Sequence, residues 1–193
     1  AVLPPYNMII FDEAHAIESS ATSFMSSELA KFSVYRQLGR LYRERRGHKF
    51  GLITKLQNIK NLPPGVLKKF PDCSDAVRSA SDRVDLACLD LLGDALNWRL
   101  TKAEESRAAK LFSAMGELER AVLSISELLH DALDEVPEES RAEQAVSEAG
   151  LALMRFSELA ALCAKWREWK ENEDSIFWME KARTKDGDSF ARL

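Results

Sequence analysis

The chain has 193 residues, 46% of them hydrophobic and 30% charged, enough to bury one good-sized core and inconsistent with wholesale disorder. No run of about 18 apolar residues occurs, which excludes a bilayer-spanning helix; no basic-then-apolar leader is present, and Cys73, Cys88 and Cys163 form no CxxC pair, so the chain reads as cytoplasmic, without a zinc or cluster signature. The net charge of −4 conceals eleven basic residues between Lys31 and Lys69 set against one acid, Glu44.

In chain order, Asn7, Met8, Ile9, Ile10 and Phe11 form an apolar run that ends in two acids, the pattern of a strand buried on both faces of a parallel sheet. Few other strands are available to pair with it, so its sheet is expected to lie largely outside residues 1–193. A helix is expected from a cap at Ser19 or Ser20 through Arg46, with Gly47 as its stop. A short helix from Leu52 to Ile59 and a loop around Pro63, Pro64 and Gly65 follow.

Three long helices come next. The first, capped by Asp72 or Ser74, would carry Val77, Ala80, Val84, Ala87, Cys88, Leu91, Ala95 and Trp98 on one face. The second would open on a capping box of Thr101 and Glu104, bury Ala108, Leu111, Phe112, Met115, Leu118, Val122, Ile125, Leu129 and Ala132, and close at Pro137. The third would present Ala142, Val146, Ala149, Leu153, Phe156, Leu159, Cys163, Trp166 and Trp169. Short connections predict antiparallel neighbours in a bundle. The tail from Ser175 to Lys181 has strand composition, and Asp186-Gly187 is a hairpin signal ahead of Phe190 and Leu193. The fold class is therefore mainly α, a helical bundle with a few short strands at the two ends.

Asp12-Glu13-Ala14-His15 stands directly after the apolar strand. A carboxylate at the carboxyl end of a buried parallel strand faces the crevice where such sheets hold ligands. There Asp12 would help hold Mg²⁺ bound to ATP, and Glu13 would orient or deprotonate the attacking water. Two other readings use the same letters: acids favoured by the dipole at a helix start, or a metal pair of His15 and Glu18, which would lack the three or four ligands zinc needs.

The stretch from Leu3 to Glu18, with Asp12-Glu13-Ala14-His15 at its centre, resembles motif II of superfamily 2 helicases of the DinG/XPD type. The helical insertion after it, and the return through Ile176-Phe177-Trp178-Met179-Glu180, resemble that family's Arch domain rejoining the first motor domain. The resemblance is specific at residues 12–15 and loose elsewhere. It implies residues 1–18 as the end of an α/β motor domain, 19–174 as a helical Arch-like domain and 175–193 as a return strand or hairpin. It implies 5′-to-3′ movement on single-stranded DNA driven by ATP, with Asp12 and Glu13 at the Mg-ATP and water-activating positions, Asp12 as the metal-linked carboxylate and His15 as the coupling residue. No G-x-x-x-x-G-K-[S/T] loop and no four-cysteine cluster occur in the sequence, so the phosphate loop and any iron–sulfur cluster would lie before Ala1, and the chain alone is expected to be inactive as an ATP hydrolase. Replication or repair proteins are the expected protein partners.

The basic segment supplies a second expectation. Arg36, Arg40 and Arg43 at helical spacing, with Arg45, Arg46 and Lys49 beside them, would contact single-stranded DNA, and Tyr35, Tyr42 and Phe50 are candidates for base stacking. The competing reading is a solvated helix face. Trp98, Trp166 and Trp169 sit on apolar faces and are expected in the core. A non-catalytic binding module and an RNA helicase are the alternative functions; the long helical insertion argues against the latter.

Overall fold

The computed structural model describes His15, Ile17 and residues 26–193 apart from Pro64, Val66 and Glu173. The strand expected over residues 7–11, the carboxylates of Asp12 and Glu13, and the helix start at Ser19 or Ser20 lie outside the described residues. His15 is exposed.

The described chain is mainly helical, with short antiparallel strands. Helix α1 runs Lys31–Leu41 and buries Val34, Leu38 and Leu41. The Ser33 hydroxyl ties its first turn by donating to the Ala30 carbonyl at 2.6 Å. The helix stops well short of Arg46, because Tyr42 turns extended and the chain forms a hairpin of β1 (Arg43–Arg45) and β2 (His48–Phe50). The two-residue loop, Arg46 and Gly47, has φ of 53° and 76°, the pair of positive values that a tight hairpin of right-handed twist requires. Gly47 is therefore a turn residue and not a helix stop. The hairpin returns the backbone against the end of α1: Gly51 has φ of 113°, and a β-carbon there would collide with the Leu41 carbonyl oxygen.

Helix α2 (Leu52–Gln57) matches the short helix expected there and buries Leu52, Ile53 and Leu56. Helix α3 (Phe70–Leu92) starts ahead of Asp72 and Ser74, with Pro71 in its first turn and Ser74 already buried within it. Pro71 lacks only an N–H that would be unpaired at this position, so it favours a start here. The helix ends before Ala95 and Trp98. Trp98 instead lies on β3 (Asn97–Arg99), half-buried against the core.

Helix α4 (Ala109–Asp134) begins later than a box at Thr101 and Glu104 requires. The Glu104 carboxylate accepts the Trp98 indole N–H at 3.1 Å and an Arg107 N–H at 2.5 Å, so it is committed to β3 and its own turn and not to a helix cap. Of the face expected on α4, Leu111, Met115, Leu118, Val122, Ile125 and Leu129 are fully buried, and Phe112 is half-buried. Pro137 precedes a 3-10 turn at Glu138–Ser140, and α5 runs Gln144–Arg167, leaving Ala142 exposed outside it. Ala149, Phe156, Leu159, Cys163 and Trp166 are buried as expected, and Trp169 packs half-buried beyond the helix end.

Ion pairs fix the directions. Arg83 meets Glu117 at 2.6 Å and Lys110 meets Asp90 at 3.9 Å, so α3 and α4 are antiparallel. Arg167 at the end of α5 pairs with Glu119 in the first half of α4, and Lys170 just beyond α5 pairs with Glu105 just ahead of α4 at 2.7 Å, so the end of α5 lies toward the start of α4 and the two are antiparallel as well. The tail forms β4 (Trp178–Arg183) and β5 (Ser189–Arg192) around the expected turn. That hairpin extends a three-stranded sheet ordered β3-β4-β5, with Trp98 opposite Met179 and Lys181 opposite Ala191. Its inner face carries Met179 and Ala191 onto the helical core, and Phe177 meets Trp166 edge-on at 5.2 Å.

One charged group joins three elements. Asp85 on α3 is 3% exposed; its Oδ1 accepts the Ala191 backbone N–H at 2.8 Å and its Oδ2 accepts Lys31 Nζ at 2.5 Å. A buried carboxylate is tolerated only when paired and hydrogen-bonded in this way. Beside it, Leu29 and Leu193 exchange two backbone hydrogen bonds of 2.9 and 3.0 Å. No described helix is long and apolar enough to cross a membrane.

Candidate nucleic-acid interface

The folded chain sorts the basic segment into tied and untied charges. Lys31 is tied to Asp85, and Lys55 to Glu148 at 3.0 Å. Hydrogen bonds from Lys55 and then Gln144 hold the Glu148 carboxyl below its ordinary value. The other nine, Arg36, Arg40, Arg43, Arg45, Arg46, Lys49, Lys60, Lys68 and Lys69, are exposed and make no ion pair with any described residue. Unneutralised cations repel one another wherever they come close on the surface. A polyanion that replaces its own counterions with these side chains relieves that repulsion.

Arg36 and Arg40 lie one turn apart on the outer face of α1, opposite Val34, Leu38 and Leu41. Arg43 does not continue their helical row: it is on β1, and with Arg45, Arg46 and Lys49 it belongs to the exposed hairpin. The expected helical stripe is thus two groups of cations on two elements.

The three aromatic candidates also separate. The Tyr35 hydroxyl donates to Asp82 on α3, the Arg78 guanidinium lies 5.1 Å from its ring centroid, and Phe32 meets it edge-on at 6.1 Å. Burial, followed by the bond to Asp82, pushes that hydroxyl well above the ordinary tyrosine value. Tyr42 packs edge-on to Phe70 at 6.3 Å and donates to Glu44 at 3.2 Å, and its hydroxyl is likewise raised, by burial first and Glu44 second. Both tyrosines therefore serve the fold. Phe50, 45% exposed, retains an open ring surface.

A residue outside the basic segment joins the surface. Arg155 on α5 and Arg40 on α1 line the same groove of about 380 Å³, together with the Lys55-paired Glu148 and an apolar lining that includes Leu41, Leu52 and Phe156. Sequence separation hides such a pairing, since nothing local links residue 155 to residue 40. Among the described residues no group of three or more His, Cys, Asp or Glu is arranged to hold a metal ion. Comparison with protein-family models, with curated proteins and with solved structures found no match.

Proposed function

We propose that residues 1–193 supply the nucleotide-hydrolysis motif and the single-strand guide of a DinG/XPD-type DNA helicase working in the bacterial cytoplasm. The observation that carries this reading is Asp12-Glu13-Ala14-His15 placed directly behind the apolar run at residues 7–11. A single hard carboxylate oxygen from Asp12 suits Mg²⁺, which keeps waters and nucleotide oxygens as its other ligands. Mg-ATP would supply the phosphoryl group, Glu13 would orient the attacking water and take its proton, and His15 would link hydrolysis to movement.

Two features of the helical body support the reading. Leu29 and Leu193 are hydrogen-bonded neighbours, so the two ends of the 29–193 body lie side by side at one edge, an arrangement compatible with insertion of such a body into another domain. The nine uncompensated cations of the 36–69 region give it a surface suited to phosphates. Replication or repair proteins remain its proposed protein partners.

The test is the coding sequence ahead of Ala1. A G-x-x-x-x-G-K-[S/T] loop is expected there, with four cysteines between it and residue 1 if the longer protein carries an iron–sulfur cluster. A longer polypeptide without any phosphate loop refutes the helicase reading and leaves a non-catalytic DNA-binding module, which oligonucleotide binding by residues 1–193 tests separately.

A further inference from the structure

The β1–β2 register divides the hairpin into two unlike faces. Arg43 is opposite Phe50, Glu44 opposite Lys49 and Arg45 opposite His48. Side chains two apart on a strand share a face, as do directly opposed residues, so Arg43, Arg45, His48 and Phe50 lie together while Glu44 and Lys49 lie on the other side. The contacts agree: the Arg43 guanidinium is 5.9 Å from the Phe50 ring centroid, the His48 ring is 6.3 Å from it, and Glu44 is held by Tyr42. All six strand residues are exposed; Lys49, on the Glu44 side, borders a cavity it shares with Ile53 and Gln57 of α2. The only acid of the basic segment is turned away from the face that holds Phe50; Phe32, the other exposed phenyl ring of the segment, is engaged edge-on by Tyr35 and Phe190.

We propose that this face, Arg43, Arg45, His48 and Phe50, is a single-strand-selective nucleic-acid contact in which Phe50 stacks on a nucleobase while the arginines hold the flanking phosphates. The inference rests on the reading of the helical body as a DNA guide and adds where and how it holds the strand. Arg43 and Arg45 are two strand residues apart, about 7 Å, a spacing comparable with that of successive phosphates along an extended single strand. An aromatic ring accepts any base, because every base has a π-face, so the contact is tolerant of sequence. A duplex keeps those faces stacked inside and cannot offer one to Phe50. An acidic peptide would satisfy the arginines and leave the ring without a partner, which is why the aromatic residue favours nucleic acid.

The experiment uses the 193-residue chain and three fluorescent probes of equal length: oligothymidylate, the same phosphodiester backbone without bases, and a duplex. The wild-type chain is expected to bind oligothymidylate most tightly. Phe50→Ala should weaken that binding by about 5- to 100-fold and leave the abasic probe unchanged, whereas Phe50→Trp should restore it. Arg45→Glu should weaken both single-stranded probes. Unchanged thermal unfolding of the Phe50 variants shows that the fold is intact. If Phe50→Ala leaves oligothymidylate binding intact, or weakens both single-stranded probes equally, the stacking proposal falls, while continued loss on Arg36→Glu and Arg40→Glu preserves the guide reading. Displacement by polyglutamate as effective as by oligothymidylate overturns it in favour of an acidic protein partner. If no probe binds, the guide reading and the stacking proposal fall together.

Discussion

Replacing Asp85 by Ala removes the group that joins α1, α3 and the C-terminal hairpin. The Ala191 N–H, now without its acceptor and 1% exposed as a residue, loses a hydrogen bond it cannot exchange for water, a cost of about 2 kcal/mol. Lys31 loses its counter-charge as well. Removing one partner of a fully buried pair costs about 3–5 kcal/mol, but the Lys31 side chain is 20% exposed and can turn its ammonium to solvent, so about 1–2 kcal/mol is the appropriate share. The expected total is about 3–4 kcal/mol in urea unfolding, with faster hydrogen exchange at the Ala191 amide. Asp85→Asn can keep its amide oxygen on the Ala191 N–H, but its NH2 then meets the Lys31 ammonium donor to donor, so the charge and the Lys31 hydrogen bond are both lost while Lys31 turns to solvent; it should cost about 1–2 kcal/mol and leave that amide protected. A loss below about 1 kcal/mol for Asp85→Ala, or equal losses for the two variants, refutes the assignment of Asp85 as the clasp.

Core truncation follows from the buried faces: Leu111→Ala should cost about 2–5 kcal/mol and Phe156→Ala about 3–5 kcal/mol, and a loss below about 0.5 kcal/mol at both would place the wrong faces inside. Burial, and next the Glu119 carboxylate, push the Cys163 thiol up to about 12; burial and then Asp85 raise that of Cys88. The folded state therefore keeps thiol protons that the unfolded chain releases, so this stabilisation is complete below about pH 8.5 and is lost as pH rises toward 12. Urea midpoints at neutral and alkaline pH should differ less for Cys163→Ala than for the wild type, and an unchanged pH dependence contradicts the burial argument. Reversing Arg36, Arg40 and Arg43 to Glu should weaken oligonucleotide binding and flatten its salt dependence, expected near a log–log slope of about −3 if about four phosphates are neutralised. Reversing Arg83, Lys110 and Arg120 alters net charge equally and should do much less; equal losses would mean that only overall charge matters.

The long helices were legible because a three- and four-residue apolar repeat over many turns has few other solutions; Leu111 to Leu129 is the clearest run, buried at every expected position but Phe112, which is half-buried. The hairpin after Leu41 was not, because Arg43 and Arg45 fit a helical charge row as well as a strand, and Arg46-Gly47 lacks the Asn or Asp that usually marks such a turn. Thr101 and Glu104 match a capping box by spacing, yet the Trp98 indole N–H competes for the same carboxylate. Asp85 carries no local signal at all: its partners are 54 residues behind and 106 ahead of it. Of the candidate interface, the charge asymmetry was legible in the sequence. The division of the hairpin into an arginine–aromatic face and a mixed face needed the strand register.

The helicase reading turns on Glu13. On that proposed reading, Glu13→Gln in a longer helicase polypeptide would keep the shape of the side chain while removing the group that would take a proton from the attacking water. DNA-stimulated ATP turnover, measured beside nucleotide binding, should fall steeply while ATP binding persists, because the loss is confined to the transition state. A Glu13→Gln protein with wild-type kcat would contradict the account.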